Sequence, residues 1–218
     1  MRTALLTCLV ILSGCAAPLP PPAFQPAPPT PLSDLRSVDW PGPKPTLEDL
    51  ETYVENFRKL AFSTEWNGRH PYIKKWTGTG VCAPEKYRVP IENTLRKLRV
   101  ATGLNLRLSD LCDIRVEDYP SIHGCRFKPT GLVGVGYGVE IGECLEEELS
   151  QLMGLYNDIP YRWTSWNDDL MGTVNRLTWH DAVMIRVLYQ QELHQGMSEA
   201  AAMKIVPRLM RKVIGEVQ

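Results

Sequence analysis

Proline is spread so unevenly along this chain that it fixes where a core can begin. Of its eighteen prolines, eleven fall between residues 16 and 45, including Pro20-Pro21-Pro22 and Pro28-Pro29. Proline lacks a backbone N–H and has a fixed φ, so such a stretch can neither continue a helix nor sit inside a sheet. It favours extended polyproline II at about 3.1 Å per residue, and about thirty residues drawn out fully reach roughly 90 Å. Segment 15–45 is therefore expected to act as a tether, with a docking site for a proline-recognition domain as the alternative. Residues 46–218 have ordinary globular composition and a length that suits one domain with one core.

The tether follows a leader. Met1-Arg2 carries one positive charge, residues 4–12 are apolar, and Leu12-Ser13-Gly14-Cys15 closes the run. A basic start, a short apolar run and small residues before a cut site describe a secretory signal, too short to span a bilayer. Its ending resembles the lipobox of bacterial lipoproteins, which implies a signal at 1–14 and lipidation at Cys15. At ~0.8 kcal/mol per buried methylene, two or three acyl chains hold a protein on a membrane permanently. Ala16, where inner-membrane lipoproteins usually carry Asp, resembles the outer-membrane class. The resemblance places the domain on the periplasmic side of the outer membrane, with the cell surface as the other face open to it.

Charge and cysteines fit that address. Lys and Arg total 24 against 25 Asp and Glu, a net charge of −1 that offers nucleic acid no bulk attraction. The local basic runs Arg96-Lys97-Arg99 and Lys204, Arg208, Arg211, Lys212 read as solvated helix faces. Cys8 leaves with the signal and Cys15 takes lipid, so the domain keeps Cys82, Cys112, Cys125 and Cys144. In an oxidising compartment four cysteines make two disulfides. Spacings of thirty, thirteen and nineteen lack the close pairs of a zinc site. Sequence proximity favours Cys82–Cys112 and Cys125–Cys144.

The periodicity predicts an α+β domain. Thr46 and Asp49 can cap a helix whose face carries Leu47, Leu50, Val54, Phe57 and Ala61. Extended chain is expected over 72–87, broken by Gly78, Gly80 and Pro84. Pro90 can start a helix with Ile91, Leu95, Leu98 and Ala101 inward and Gly103 as its stop. Strands are predicted at 105–108 and 113–117, and alternation of Val133, Val135, Tyr137, Val139 and Ile141 predicts another over 132–141. Further helices are expected at 145–155, 179–192 and 198–214.

Two segments carry a resemblance. Glu147-Glu148-Leu149-Ser150-Gln151-Leu152-Met153-Gly154-Leu155-Tyr156-Asn157 follows the spacing His-Glu-x-x-His-x-x-Gly-x-x-His of the metzincin metalloproteases. Leu177-Thr178-Trp179-His180-Asp181 with Leu188-Tyr189 resembles a helix start near the end of matrixin catalytic domains. With the element order, this implies a zincin-like domain with a mixed sheet and a helix of the active-site type. More closely, 46–200 resembles an uncharacterised family of bacterial envelope proteins with a Glu-Glu-Leu-x-Gln-x-x-Gly-Leu-x-Asn-Asp segment, which carries no known activity.

The departures from that pattern decide the chemistry. A catalytic zincin needs three ligands converging on Zn²⁺ and a Glu to activate water, with two His at i and i+4 on one helix face. Here the ligand positions are Glu147, Gln151 and Asn157, and Glu148 alone matches, as general base. A carboxylate and two amides make a poor zinc site, so no metal cofactor is expected. Asp158 leaves Ca²⁺ or Mg²⁺ as the alternative. Two accounts of the acids remain open. Glu147, Glu148 and Gln151 can form a polar network with Asn157, Asp158 or Asn167-Asp168-Asp169, or Glu146, Glu147 and Glu148 can simply favour a helix start through its dipole. Glu146 and Glu148 lie about 200° apart around a helix, which predicts one of them at the solvent boundary.

His70, His123, His180 and His194 are scattered, and His180 beside Asp181 reads as a cap or surface residue. Ser121 and Ser165 lack the glycine-flanked nucleophile elbow. Trp166, with Met171 as the nearest candidate for a methionine turn, reads as core packing, with the cleft floor as the alternative. The reading is a lipid-anchored binding or scaffolding module with a pseudo-metalloprotease domain, docking an envelope protein or the cell wall. An active peptidase or wall hydrolase using Glu148, and an accessory lipoprotein piloting an envelope machine, are the alternatives.

Overall fold

Strand and helix signals in the sequence resolve into a five-stranded mixed sheet covered by helices. The computed structural model describes residues 34–63, 68–166 and 176–218. The signal, Cys15, the chain through residue 33, the Asn167-Asp168-Asp169 cluster and Met171 lie outside the described residues. Helix α1 (Leu50–Phe62) is followed by β1 (Gly80–Cys82), α2 (Arg88–Thr102), β2 (Arg107–Leu108), β3 (Ile114–His123), β4 (Cys125–Lys128) and β5 (Leu132–Tyr137). Then come α3 (Ile141–Gln151), α4 (Trp179–Leu188), α5 (Glu199–Ala202) and α6 (Val206–Val217). Strand order is β2-β1-β3-β5-β4, parallel throughout except for the edge strand β4, which runs antiparallel to β5. The fold is α+β with a mixed sheet.

Local rules account for much of this. Ile91, Leu95, Leu98 and Ala101 are buried along α2, and Gly103 ends the helix at φ +74°, donating its N–H to the Arg99 carbonyl. Thr46 donates its N–H and Oγ1 to Asp49, and a 3-10 turn leads into α1. Phe57 and Ala61 are buried and Leu50 and Val54 pack against the core as expected, joined by Tyr53, Asn56 and Leu60, while Leu47, in the 3-10 turn ahead of the helix, is 47 % exposed. Every residue of α4 is buried, which makes it the central helix, packed against α2 and α6.

Other boundaries move for identifiable reasons. The expected strand to residue 141 stops at Tyr137, because Gly138 turns the chain at φ +77° and Glu140 caps α3 by accepting from the Glu143 N–H at 2.7 Å. The β4 strand, absent from the sequence reading, pairs with β5 in a hairpin. The expected helix over 198–214 is two helices, α5 and α6, separated at Met203–Ile205 ahead of Pro207. Burial also reaches into the stretch read as tether. Leu35, Val38 and Trp40 are core residues, and the Trp40 indole donates to the Leu35 carbonyl at 2.8 Å.

Disulfides join Cys82 to Cys112 and Cys125 to Cys144, with Cα atoms 5.3 and 5.8 Å apart. The first ties β1 to the loop before β3. The second ties the edge strand β4 to α3. Among the described residues no helix is long and apolar enough to cross a membrane.

Candidate functional site

The Cys125–Cys144 staple sits on the wall of a cleft of about 770 Å³ beside α3. One side is the sheet edge, with Arg126 and Phe127 of β4. The other is α3, presenting Glu143, Glu147 and Glu148, and Tyr156 and Asp158 close the end. The chain can return beneath the helix because Gly154 takes φ +120°, where a Cβ would collide with the Lys74 carbonyl. The cleft is acidic. Glu140, Glu143, Glu147, Glu148 and Asp158 line it against a single arginine, Arg126.

The motif positions separate in space. Glu148 is 7 % exposed and Glu147 half-buried, and both border the cleft with Asp158. Gln151 is buried, and its amide donates to the Asp158 carboxylate at 3.0 Å. Asn157 is half-buried and does not border the cleft. Of the two accounts of the acids, the network has a physical counterpart in the Gln151–Asp158 bond.

Trp166 packs in the core and not on the cleft floor, and three other expectations are corrected. Trp166 is wholly buried, with its indole donating to Ser150 Oγ at 2.7 Å. A fully enclosed ring with its one donor satisfied has nothing to offer a ligand. Glu148, 7 % exposed, borders the cleft, but Glu146 on the opposite flank does not reach open solvent on α3's other side. Glu146 is 3 % exposed and reaches Lys97 of α2 at 2.5 Å, while its other oxygen accepts from the Leu177 N–H at 2.7 Å. Lys97, read as part of a solvated face, is thus half of a buried ion pair.

His180 is the third correction, being an interior residue. Its ring sits 4.8 Å from Tyr53 and 4.6 Å from Tyr161, and Nε2 meets the Asn56 amide at 3.1 Å. Its neighbour Asp181 caps α4 and collects Thr164 Oγ1 at 2.5 Å, with the N–H groups of Ser165 and Thr178 at 2.9 Å each. Asp181 thereby fastens both ends of the chain that leaves residue 166 and returns at 176.

The sequence reading dismissed two histidines that the fold brings together. His70 and His123 both line the cleft with Glu147, Glu148 and Asp158. Burial, with help from Lys74, pushes the His70 imidazole below its usual range, so it is neutral near pH 7. Burial likewise raises the Tyr156 phenol, which stays protonated. No sequence signal could have found the histidines, because one comes from the segment after α1 and the other from the end of β3, and they share no helical spacing with the acids. Among the described residues no group of three or more His, Cys, Asp or Glu is arranged to hold a metal ion. The side chains present can hold a cation or exchange protons with a bound ligand.

A family model described as "Protein of unknown function (DUF2927)" matches residues 137–208. The match starts at the end of β5 and takes in α3, its cleft acids, Asp181, α4 and the first residues of α6. It leaves out the sheet, His70 and His123. No curated protein matches the chain.

Proposed function

We propose that this chain is a lipid-anchored protein of the bacterial envelope whose domain is a degenerate zincin-like module that binds a polypeptide in its acidic cleft without cleaving it. The observation that carries the binding role is the juxtaposition across one cleft of an antiparallel edge strand and the buried acids of α3. An edge strand offers backbone hydrogen bonds to an extended chain, and the acids offer charge selection. The zincin likeness is supported by the same arrangement, a helix bearing the motif spacing directly after the edge hairpin.

The degenerate character rests on chemistry at the ligand positions. At the second of them, where a metalloprotease presents imidazole, Gln151 turns its amide N–H to Asp158. A neutral amide is a weak ligand for zinc, and Asp158, the oxygen ligand the alternative needed, accepts a hydrogen bond from Gln151. Export is supported by the two disulfides. Anchorage through Cys15 on the periplasmic face of the outer membrane follows from the lipobox-like leader, with an envelope protein or the wall as partner.

Palmitate labelling in a bacterial host tests the anchor. Wild-type chain should take label and fractionate with the outer membrane, and Cys15→Ser should lose both. Label that survives the substitution overturns the lipoprotein assignment.

A further inference from the structure

Beside the acidic cleft lies a second hollow of about 540 Å³, and Tyr156 and Pro129 belong to both. Their chemistry is opposite. The second hollow is lined by Lys74, Lys75, Trp76 and Thr77, and its one acid, Asp113, already accepts from the N–H groups of Thr79 and Gly80 at 2.9 and 3.1 Å. Lys74 lies over the Tyr156 ring at 5.5 Å, and Phe127 stacks against that ring at 5.7 Å. The aromatic pair therefore stands at the junction of a basic and an acidic compartment.

The donors in the basic compartment are short of acceptors. Lys75 directs its ammonium to the Gln190 carbonyl at 3.1 Å and sits 5.6 Å from the Tyr189 ring centre, partners that compensate a buried cation poorly. Burial accordingly pushes its pKa down to about 8. The Trp76 indole N–H is buried with no acceptor among the described residues. A buried N–H without an acceptor costs about 1–3 kcal/mol, which marks this wall as one that polar pairing within the fold leaves incomplete.

We infer that the two hollows form one bipolar site for an extended zwitterionic peptide, with its free C-terminal carboxylate at Lys74, Lys75 and Trp76 and a cationic group at Glu147, Glu148 and Asp158. A peptide links the two charges at about 3.3 Å per residue and lays its intervening side chains over Tyr156 and Phe127. This reading rests on the proposed binding role of the cleft and names the ligand class. Charge complementarity at both ends fixes direction as well as affinity, because a reversed peptide sets like charges together.

Calorimetric titration of the full chain tests it. The probes are N-acetylated alanine hexapeptides with one lysine at each of the first four positions in turn, each made as free acid and as C-terminal amide. At the best position the free acid should bind at least about tenfold more tightly than the amide, as expected for a charge-assisted contact. Lys74→Met should abolish that difference by weakening the acid alone, and Lys74→Arg should restore it. Glu148→Gln should weaken acid and amide together. Acid and amide binding equally, both dependent on Glu148, would overturn the bipolar site and leave the cleft's binding role standing. Failure of every peptide to bind would overturn both.

Discussion

Two glutamates two residues apart on α3 face opposite ways, and the contrast bears on the binding role proposed for this helix. Glu146 faces α2, where Lys97 and the Leu177 N–H consume both its oxygens. Glu148 faces the cleft and borders open volume. Both are almost wholly buried, at 3 % and 7 % exposure. Burial alone therefore does not distinguish an acid that holds the fold from one placed for a ligand. What distinguishes them here is that Glu148 borders the cleft and Glu146 does not.

The largest effect should come from breaking the inward pair. Glu146→Gln leaves the Lys97 ammonium buried without its counter-charge, and urea unfolding should show a loss of about 3–5 kcal/mol. Replacing both members by apolar residues of similar size should recover most of it. If the single change costs no more than an exposed ion pair, under about 1 kcal/mol, the contrast with Glu148 collapses.

Asp181 sharpens the comparison as a second acid wholly consumed by the fold. Asp181→Ala strands Thr164 and the backbone donors of Ser165 and Thr178, and should cost about 3 kcal/mol. The same loss should appear as faster proteolysis between residues 166 and 176, whose flanks it fastens. Equal protection in wild type and variant would remove its role as a clasp.

Glu148→Gln should have the smallest effect on the fold, about 1 kcal/mol or less, since an isosteric amide keeps the packing and the cleft supplies solvent. A loss as large as that of Glu146→Gln would make Glu148 a second structural acid and withdraw the main support for a binding site.

The same contrast explains how far the sequence could be read. Short-range signals were legible. The α2 face from Ile91 to Ala101, its stop at Gly103 and the nearest-neighbour disulfides all depend on residues close in the chain. The α1 face from Leu50 to Ala61 was legible too, but not its start, because the 3-10 turn at Leu47–Asp49 takes Leu47 off that face. The start of α3 was hidden by Ile141, which continues the alternation of β5 although Gly138 has already turned the chain. At the site, the motif spacing marked Glu147 and Glu148, which border the cleft, but also Gln151 and Asn157, which do not; Asp158, one residue past the motif, does. The roles of Glu146, Trp166 and His180 depend on Lys97, Ser150 and Asn56, each from a different element, so tertiary packing alone could assign them. His70 and His123 reach the cleft by the same long-range route.

The central claim is that the cleft binds without a catalytic metal, and thermal unfolding in the presence of zinc tests it most directly. Full-length protein, freed of metal and then given one equivalent of Zn²⁺, should melt at the same temperature with and without a subsequent chelator. Tight zinc in a catalytic site stabilises the folded state by RT ln(1 + [L]/Kd), several kcal/mol at ligand concentrations far above Kd. A zinc-dependent rise of several degrees, reversed by chelator, would contradict the account and return Glu148 to the role of general base.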